Sequence, residues 1–529
     1  MDVLLISVAF VFGFLAHLIR LPPLVGFLVA GFVLHALGAE GGEGLGTVSE
    51  LGVTLLLFSI GLKLRIKDLL RPEGWAATSM HMLLTTVLIG LSILLLGVTG
   101  VSFFTDLSLP IALLIGFALS FSSTVFAVKI LEGKGEMSAL HGRTAISVLI
   151  VQDLFAVIFL TLTSGKFPTP WALLLLGLPL LRPVLLRLLK KSGHGELMIL
   201  FGLALALLGA ELFESVRLKG DLGALVLGVM LAGTPRAEEL AKSLLGFKEL
   251  FLVGFFLSIG LTGTPTIDSL WIALILLLVV PVKTGLFFWL FTRFHLRART
   301  ASLSALSLSN YSEFGLIVTG VSVTNGWISP EWLTILAIVM SLSFGIAAPV
   351  NNRAQLLFDA WRNRLRPYET GTVLSYDQPI DPGNAEIIVF GMGRLGVSAY
   401  DSLLSRYGSV VLGVDRKPQV VTALKADGKN VVQGDPTDCD FWERTIGSDR
   451  LGVVVLAMAD HFANLAAIEE IKARGKICMI AAVALHQDEL VELKEAGASA
   501  SYLLYAEAGV GLAESVAAQL ETRPARFSG

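Results

Sequence analysis

The chain has 529 residues, of which 54% are hydrophobic and only 16% charged. Its mean hydropathy of +0.75 and that charge deficit exclude a wholly soluble protein, which would carry about 25% charged residues. A net charge of −3 gives no electrostatic footprint for nucleic acid.

The deficit is uneven. Up to about residue 350 the chain is a series of apolar runs near the roughly 20 residues that cross a bilayer; beyond about 366 it reads as a soluble α/β domain. The first run lacks a basic start and a small-residue cleavage site, so it reads as a retained span. Thirteen candidate spans are expected, at about 2–20, 22–37, 47–64, 75–98, 109–131, 138–163, 170–189, 196–213, 220–235, 242–262, 268–293, 302–323 and 332–350.

Loop basicity sets orientation. With the N-terminus outside, the inside loops hold Lys63, Arg65, Lys67 and Arg71; Lys134 and Arg143; Lys190 and Lys191; Arg236; and Arg293, Arg297 and Arg299. The outside loops hold little beyond Lys166, Arg217 and Lys219. An odd span count then delivers the C-terminal domain to the cytoplasm. Its two cysteines, Cys439 and Cys478, fit a reducing compartment.

Spans three and ten share a pattern: Phe58-Ser59-Ile60-Gly61-Leu62 recurs as Leu257-Ser258-Ile259-Gly260-Leu261. Spans five and twelve share another, Leu119-Ser120-Phe121-Ser122 recurring as Leu306-Ser307-Leu308-Ser309. Spans one to six then match spans eight to thirteen from the opposite side of the membrane. Such an inverted repeat marks a secondary transporter with its site at the midplane.

Spans five and twelve carry polar breaks, Ser122-Ser123-Thr124 and Ser309-Asn310-Tyr311-Ser312-Glu313. Broken helices at membrane depth are tolerated where they line a cavity. Their hydroxyl, amide and carbonyl oxygens suit a hard monovalent cation; the other reading of Ser122 and Ser123 is close helix packing. Span six holds Gln152 and Asp153. A carboxyl at that depth is expensive and is a functional-site candidate by default. One that exchanges a proton for a cation would be the centre of a transporter. The competing reading pairs Asp153 with a buried base, for which Lys283 in span eleven is the candidate; Lys283 could also compete with the cation. Lys129 reads as a snorkelling anchor, Glu132, His141 and Arg143 as a cytoplasmic network, and His81 as packing.

After a basic, then Pro/Asp-rich connector (353–382) that reads as an amphipathic surface segment, residues 386–390 form a buried strand. They run into Gly391-Met-Gly393-Arg394-Leu-Gly396 and a helix, and a second strand ends in Asp415. Strand, G-x-G-x-x-G, helix, strand and acid in this order form a dinucleotide fingerprint: glycines for backbone approach to phosphate at a helix N-terminus, and an acid for ribose hydroxyls. Val431–Asp435, a strand at 451–458 before Asp460, and another at 477–483 complete at least five parallel strands.

SSTVF, HGRTAISVLIVQD, Lys283 and SNYSEFG together resemble cation:proton antiporter family 2, nearest its Kef-type potassium efflux systems. The resemblance implies a polytopic α-helical membrane protein of about 13 spans with an NhaA/NapA-like antiporter fold, joined to a cytoplasmic Rossmann-like KTN (RCK N-terminal) domain. It implies domains at 1–352 and 384–529 with a linker at 353–383, and a homodimer formed through both domains in the inner membrane. The single acid of the Gln-Asp pair implies electroneutral exchange of one potassium ion for one proton. Asp153 carries over as the K+ or Na+ site, with Gln152, Ser122, Ser123, Thr124 and Asn310 as neighbours; Glu313 matches a family acid, here preceded by Ser instead of Gly. Gly391, Gly393, Arg394, Gly396, Asp415, Arg416, Asp435 and Asp460 carry over as contacts of a regulatory AMP or NAD(H). Where Kef proteins bear an arginine-bearing stretch tied to glutathione, this chain has Ala481-Ala482-Val483-Ala484-Leu485-His486, so regulation by glutathione stays open. A sodium:proton antiporter of the same fold stays open. A potassium channel lacks its TVGYG-like filter, and an enzyme lacks a catalytic constellation beside the fingerprint.

Overall fold

The computed structural model describes residues 3–18, 23–39, 41–63, 72–99, 102–105, 107–134, 136–137, 139–163, 169–218, 220–261, 263, 265–374, 377, 383–436, 441–442, 450–473 and 478–521. Arg65, Lys67, Arg71, Lys166, Lys219 and Cys439 lie outside them. Contacts divide the chain into two compact units: Met1–Val128 with Thr144–Thr370, and Lys129–Arg143 with Gly371–Gly529.

The first unit is helical. It runs α1 (Val3–Leu18), α2 (Pro23–Ala36), α3 (Glu43–Lys63), α4 (Pro72–Val98), α5 (Leu109–Ser120), α6 (Thr124–Gly133) and α7 (Leu140–Thr163). A 3-10 stretch, Pro170–Leu181, leads into α8 (Arg182–Lys191), α9 (Glu196–Ser215), α10 (Gly220–Leu231), α11 (Pro235–Ser243) and α12 (Leu245–Gly260). Then come α13 (Ile267–Leu277), α14 (Val279–Arg293), α15 (Ala298–Ser307), α16 (Glu313–Thr324), α17 (Glu331–Asn352) and α18 (Ala354–Leu365). Among the described residues, 7 helical segments are long and apolar enough to cross a membrane, and shorter apolar helices of 10–17 residues accompany them.

The repeated Ser-Ile-Gly-Leu pattern has a packing cause. A Cβ on Gly61 would sit 2.4 Å from the Leu225 carbonyl oxygen of α10, and one on Gly260 would sit 2.4 Å from the Leu28 oxygen of α2. Both glycines let helix backbones touch, which membrane helices use in place of hydrophobic drive.

In the second unit six parallel strands form one sheet in the order β3-β2-β1-β4-β5-β6. They are β1 (Ile387–Phe390), β2 (Val411–Asp415), β3 (Val431–Gln433), β4 (Val453–Leu456), β5 (Met479–Ala484) and β6 (Ala500–Leu503). Helices α19 (Arg394–Tyr407), α20 (Pro418–Ala426), α21 (His461–Ala473), α22 (Gln487–Ala496) and α23 (Leu504–Glu521) connect and follow them. All four β1 residues are buried, as expected of a strand covered on both faces. Ile388, Phe390, Phe441 and Trp442 pack in one core cluster, Ile387, Val389 and Tyr400 in another. Strand order reverses between β1 and β4, and doubly wound sheets bind ligands at that crevice.

Candidate functional site

In the helical unit both polar breaks interrupt helices: α5 ends at Ser120 with α6 beginning at Thr124, and α15 ends at Ser307 with α16 beginning at Glu313. Each break leaves carbonyls and N–H groups at membrane depth, where an unmatched group costs several kcal/mol. Side chains match them. Ser122 N donates to Gln152 Oε1 at 2.8 Å, and Gln152 Nε2 donates to Ser120 O at 3.3 Å. Ser123 N donates to Asn310 Oδ1 at 2.6 Å, and Asn310 Nδ2 donates to Ser307 O at 3.2 Å. Ser122 Oγ crosses to Leu308 O at 2.9 Å, Ser123 Oγ accepts from Phe126 N at 3.2 Å, and Ser312 Oγ accepts from Phe314 N to start α16. Gln152 thus clamps the first break, while Asn310 and Ser122 tie the two breaks together.

Lys283, on α14 and 1% exposed, serves the same crossing. Its Nζ donates to Phe121 O at 2.5 Å, Asn310 O at 2.9 Å and Leu119 O at 3.4 Å. The ammonium goes to the carbonyl ends of both breaks, where helix C-termini concentrate negative partial charge. Asp153, 1% exposed on α7, instead has Thr124 Oγ1 at 3.4 Å from both of its carboxylate oxygens. Glu313, equally buried, stands in the first turn of α16 with Ser312 Oγ at 3.4 Å. The geometry therefore brings Ser122, Ser123, Gln152, Asn310 and Lys283 together as the frame of the crossing and joins Thr124 with Asp153.

His81, read as packing, does pack, and it also has a backbone partner that the sequence did not disclose. His81 on α4 is fully buried; its Nε2 lies 3.1 Å from Lys283 O and 3.3 Å from Thr85 Oγ1, and its ring stacks on Phe287. A lone histidine in an apolar run carries no signal of a partner 202 positions away.

Glu136, in the loop between α6 and α7, forms a buried pair with His141 in the first turn of α7, Oε2 to Nε2 at 3.1 Å. Burial pushes the Glu136 carboxyl up and Asp435 opposes ionisation too, but His141 and then Lys134 outweigh them and hold it at about 2, against an ordinary 4.5. A depressed carboxyl stabilises fully above its unfolded value and loses that contribution as pH falls toward the folded one. Wild type and Glu136→Gln are therefore expected to differ in stability near pH 5, by at most on the order of 3 kcal/mol, and to converge as pH falls from 4.5 to about 2. Scanning fluorimetry across that range reads it.

The sheet builds a second site from loops at the carboxyl ends of its strands. Gly391 has φ +86, and a Cβ there would meet Met458 N at 2.9 Å; a Cβ on Gly396 would meet Gly391 O at 1.9 Å. Gly393 faces open space, with nothing within 4 Å of its Cβ position. The outer glycines close the turn and the middle one leaves room for phosphate at the N-terminus of α19, where exposed Arg394 is the first helical residue. Asp415 Oδ2 accepts from Met392 N at 2.8 Å and Oδ1 from Lys417 N at 2.7 Å, which fixes the carboxylate beside the glycine turn. Arg416 Nη2 pairs with Asp435 Oδ1 at 2.8 Å. Asp460 Oδ1 accepts from Ala463 N at 3.3 Å, so it caps α21. The residues fit a nucleotide: open space at Gly393, a helix N-terminus suited to phosphate and an oriented ribose acceptor.

Residues 6–351 match the family described as "Sodium/hydrogen exchanger, transmembrane", and residues 387–503 match the TrkA-N domain. The glutathione-regulated potassium-efflux system protein KefC of Salmonella schwarzengrund is 30% identical over 501 residues, covering 89% of this chain and 77% of that protein. The protein of the same name from Escherichia coli O9:H4 is similar to the same extent, 30% over 501 residues. Among solved structures, the sodium proton antiporter MjNhaP1 from Methanocaldococcus jannaschii is 14% identical at a TM-score of 0.47, covering 69% of this chain and 96% of that one. With the exchanger match spanning the broken helices and the TrkA-N match spanning the sheet, the chain belongs to the sodium/hydrogen exchanger family, as a Kef-type cation:proton antiporter with a TrkA-N domain.

Proposed function

We propose that the protein exchanges a potassium ion for a proton by alternating access, with Asp153 carrying one or the other and the TrkA-N domain adjusting the rate through bound nucleotide. The carrying observation is the division of labour at the crossing. Lys283 is committed to backbone carbonyls, the two amides to the helix breaks, and a hydroxyl faces both oxygens of the buried carboxylate. A carboxylate with oxygen neighbours is what a hard monovalent cation requires, and one acid per site supports one-for-one exchange. Potassium is favoured over sodium because the curated relatives that match across both regions are named for potassium efflux.

In this reading residues 1–352 translocate the ions, 353–383 connect, and 384–529 bind AMP or NAD(H) through Gly391, Gly393, Arg394, Gly396, Asp415 and Arg416. The protein works as a homodimer in the inner membrane, with the N-terminus outside and the C-terminal domain in the cytoplasm. Gln152, Ser122, Ser123, Asn310 and Lys283 position the breaks, Thr124 touches the ion, and Glu313 supports the Ser312 cap of α16.

The test is a proton gradient reported by a dye in proteoliposomes. Added potassium is expected to collapse it at concentrations where sodium has little effect. An equal or stronger response to sodium overturns the choice of ion, and no response to either overturns exchange.

A further inference from the structure

The last apolar helix of the first unit, α17, ends at Asn352, and α18 begins two residues later. α18 has 12 residues, about 18 Å of helix at 1.5 Å per residue, too short to cross a bilayer. Ala354 and Phe358 are buried, and α18 packs on α15. The strap that follows also holds α15: Glu369 Oε1 accepts from Ala298 N at 2.7 Å. At the other end of α15, Asn351 Nδ2 donates to Leu306 O at 2.9 Å. Residues 351–369 thus grip, at both ends, the half-helix whose C-terminus enters the ion crossing.

The exposed residues of α18 are Leu356, Leu357, Ala360 and Trp361, followed by Asn363 and Arg364. Leu356 is 67% exposed and Trp361 55%. Arg364 lies on the same arc, its guanidinium 5.8 Å from the centre of the Trp361 ring. From Arg353 to Arg366 the segment carries four arginines (353, 362, 364, 366) and one acid, Asp359. Attachment to a membrane-crossing helix fixes its depth at the bilayer edge. An apolar arc with an interfacial tryptophan and a basic excess at that depth is complementary to the negative surface of a headgroup layer.

We infer that α18 lies in the headgroup layer and binds anionic phospholipid through Arg353 and Arg364, with Leu356, Leu357 and Trp361 inserted beneath, and that this contact steadies α15 for transport. The binding part stands without the exchange reading; only the transport part rests on it.

Two measurements on the full-length protein separate them. In vesicles containing brominated phosphatidylglycerol, tryptophan quenching is expected to exceed that of Trp361→Phe, and the difference is expected to shrink when the bromine is on phosphatidylcholine. In proteoliposomes, adding phosphatidylglycerol is expected to raise potassium-driven proton movement several-fold for the wild type but not for Arg353→Gln/Arg364→Gln, at equal melting temperature. No quenching difference for Trp361 means a second copy or another part of the chain covers α18, and overturns the inference. Equal quenching by both lipids overturns the anionic preference. Quenching as expected with no lipid effect on measurable exchange overturns the steadying of α15. Absent exchange in all vesicles with quenching as expected strikes the proposed function and leaves lipid docking standing.

Discussion

Asp153→Asn is expected to abolish potassium-driven proton movement in proteoliposomes while the protein still folds. Asparagine keeps the size of the side chain and one oxygen, so Thr124 Oγ1, 3.4 Å from both carboxylate oxygens of the native residue, retains an acceptor. What disappears is the ionisable proton and the negative charge. A neutral amide cannot release a proton to admit a cation, nor balance the cation's charge in a site from which water is largely removed. Because a buried carboxylate is itself costly at this depth, the melting temperature is expected to hold or rise. Loss of exchange with a held melting temperature separates a transport role from a structural one. Exchange persisting in the variant would remove Asp153 from the mechanism.

The sequence disclosed the positions of chemistry better than their partners. The breaks at Ser122–Thr124 and Asn310–Glu313 stand out because polar residues interrupt apolar runs, and the structure stops and restarts its helices there. The fingerprint from Gly391 to Asp415 was legible because each element has its own local signature, and the carboxylate does meet the glycine turn at Met392 N. Partner choice was not legible. Gln152 and Asn310 were read as neighbours of the ion site; that each amide oxygen accepts a backbone N–H of the first break depends on residues 30 and 187 positions away. Asp460 was carried over from the resemblance as a nucleotide contact; the N-cap bond its Oδ1 accepts from Ala463 N was not foreseen, though an acid just before a helix is a common cap. The strand expected at 451–458 shortens to Val453–Leu456, since strand ends are set by register with β1 and β5.

Lys283 tests the architecture most severely. Lys283→Met keeps the length of the side chain and removes the donor shared by the Leu119, Phe121 and Asn310 carbonyls. Each buried acceptor left unmatched costs about 1–3 kcal/mol. Relief from burying an ammonium offsets part of that, so the net loss is expected on the order of 3–5 kcal/mol, the range for breaking a buried charged contact. Thermal unfolding in detergent reads it directly. If the ammonium instead existed to neutralise Asp153, combining Asp153→Asn with Lys283→Met would restore stability, because neither charge would remain unpaired. With the carbonyls as its partners the double variant is expected to stay as unstable as Lys283→Met alone, the two changes adding with little coupling. Rescue in that cycle would return Lys283 to the carboxylate and undo the division of labour on which cation access to Asp153 depends.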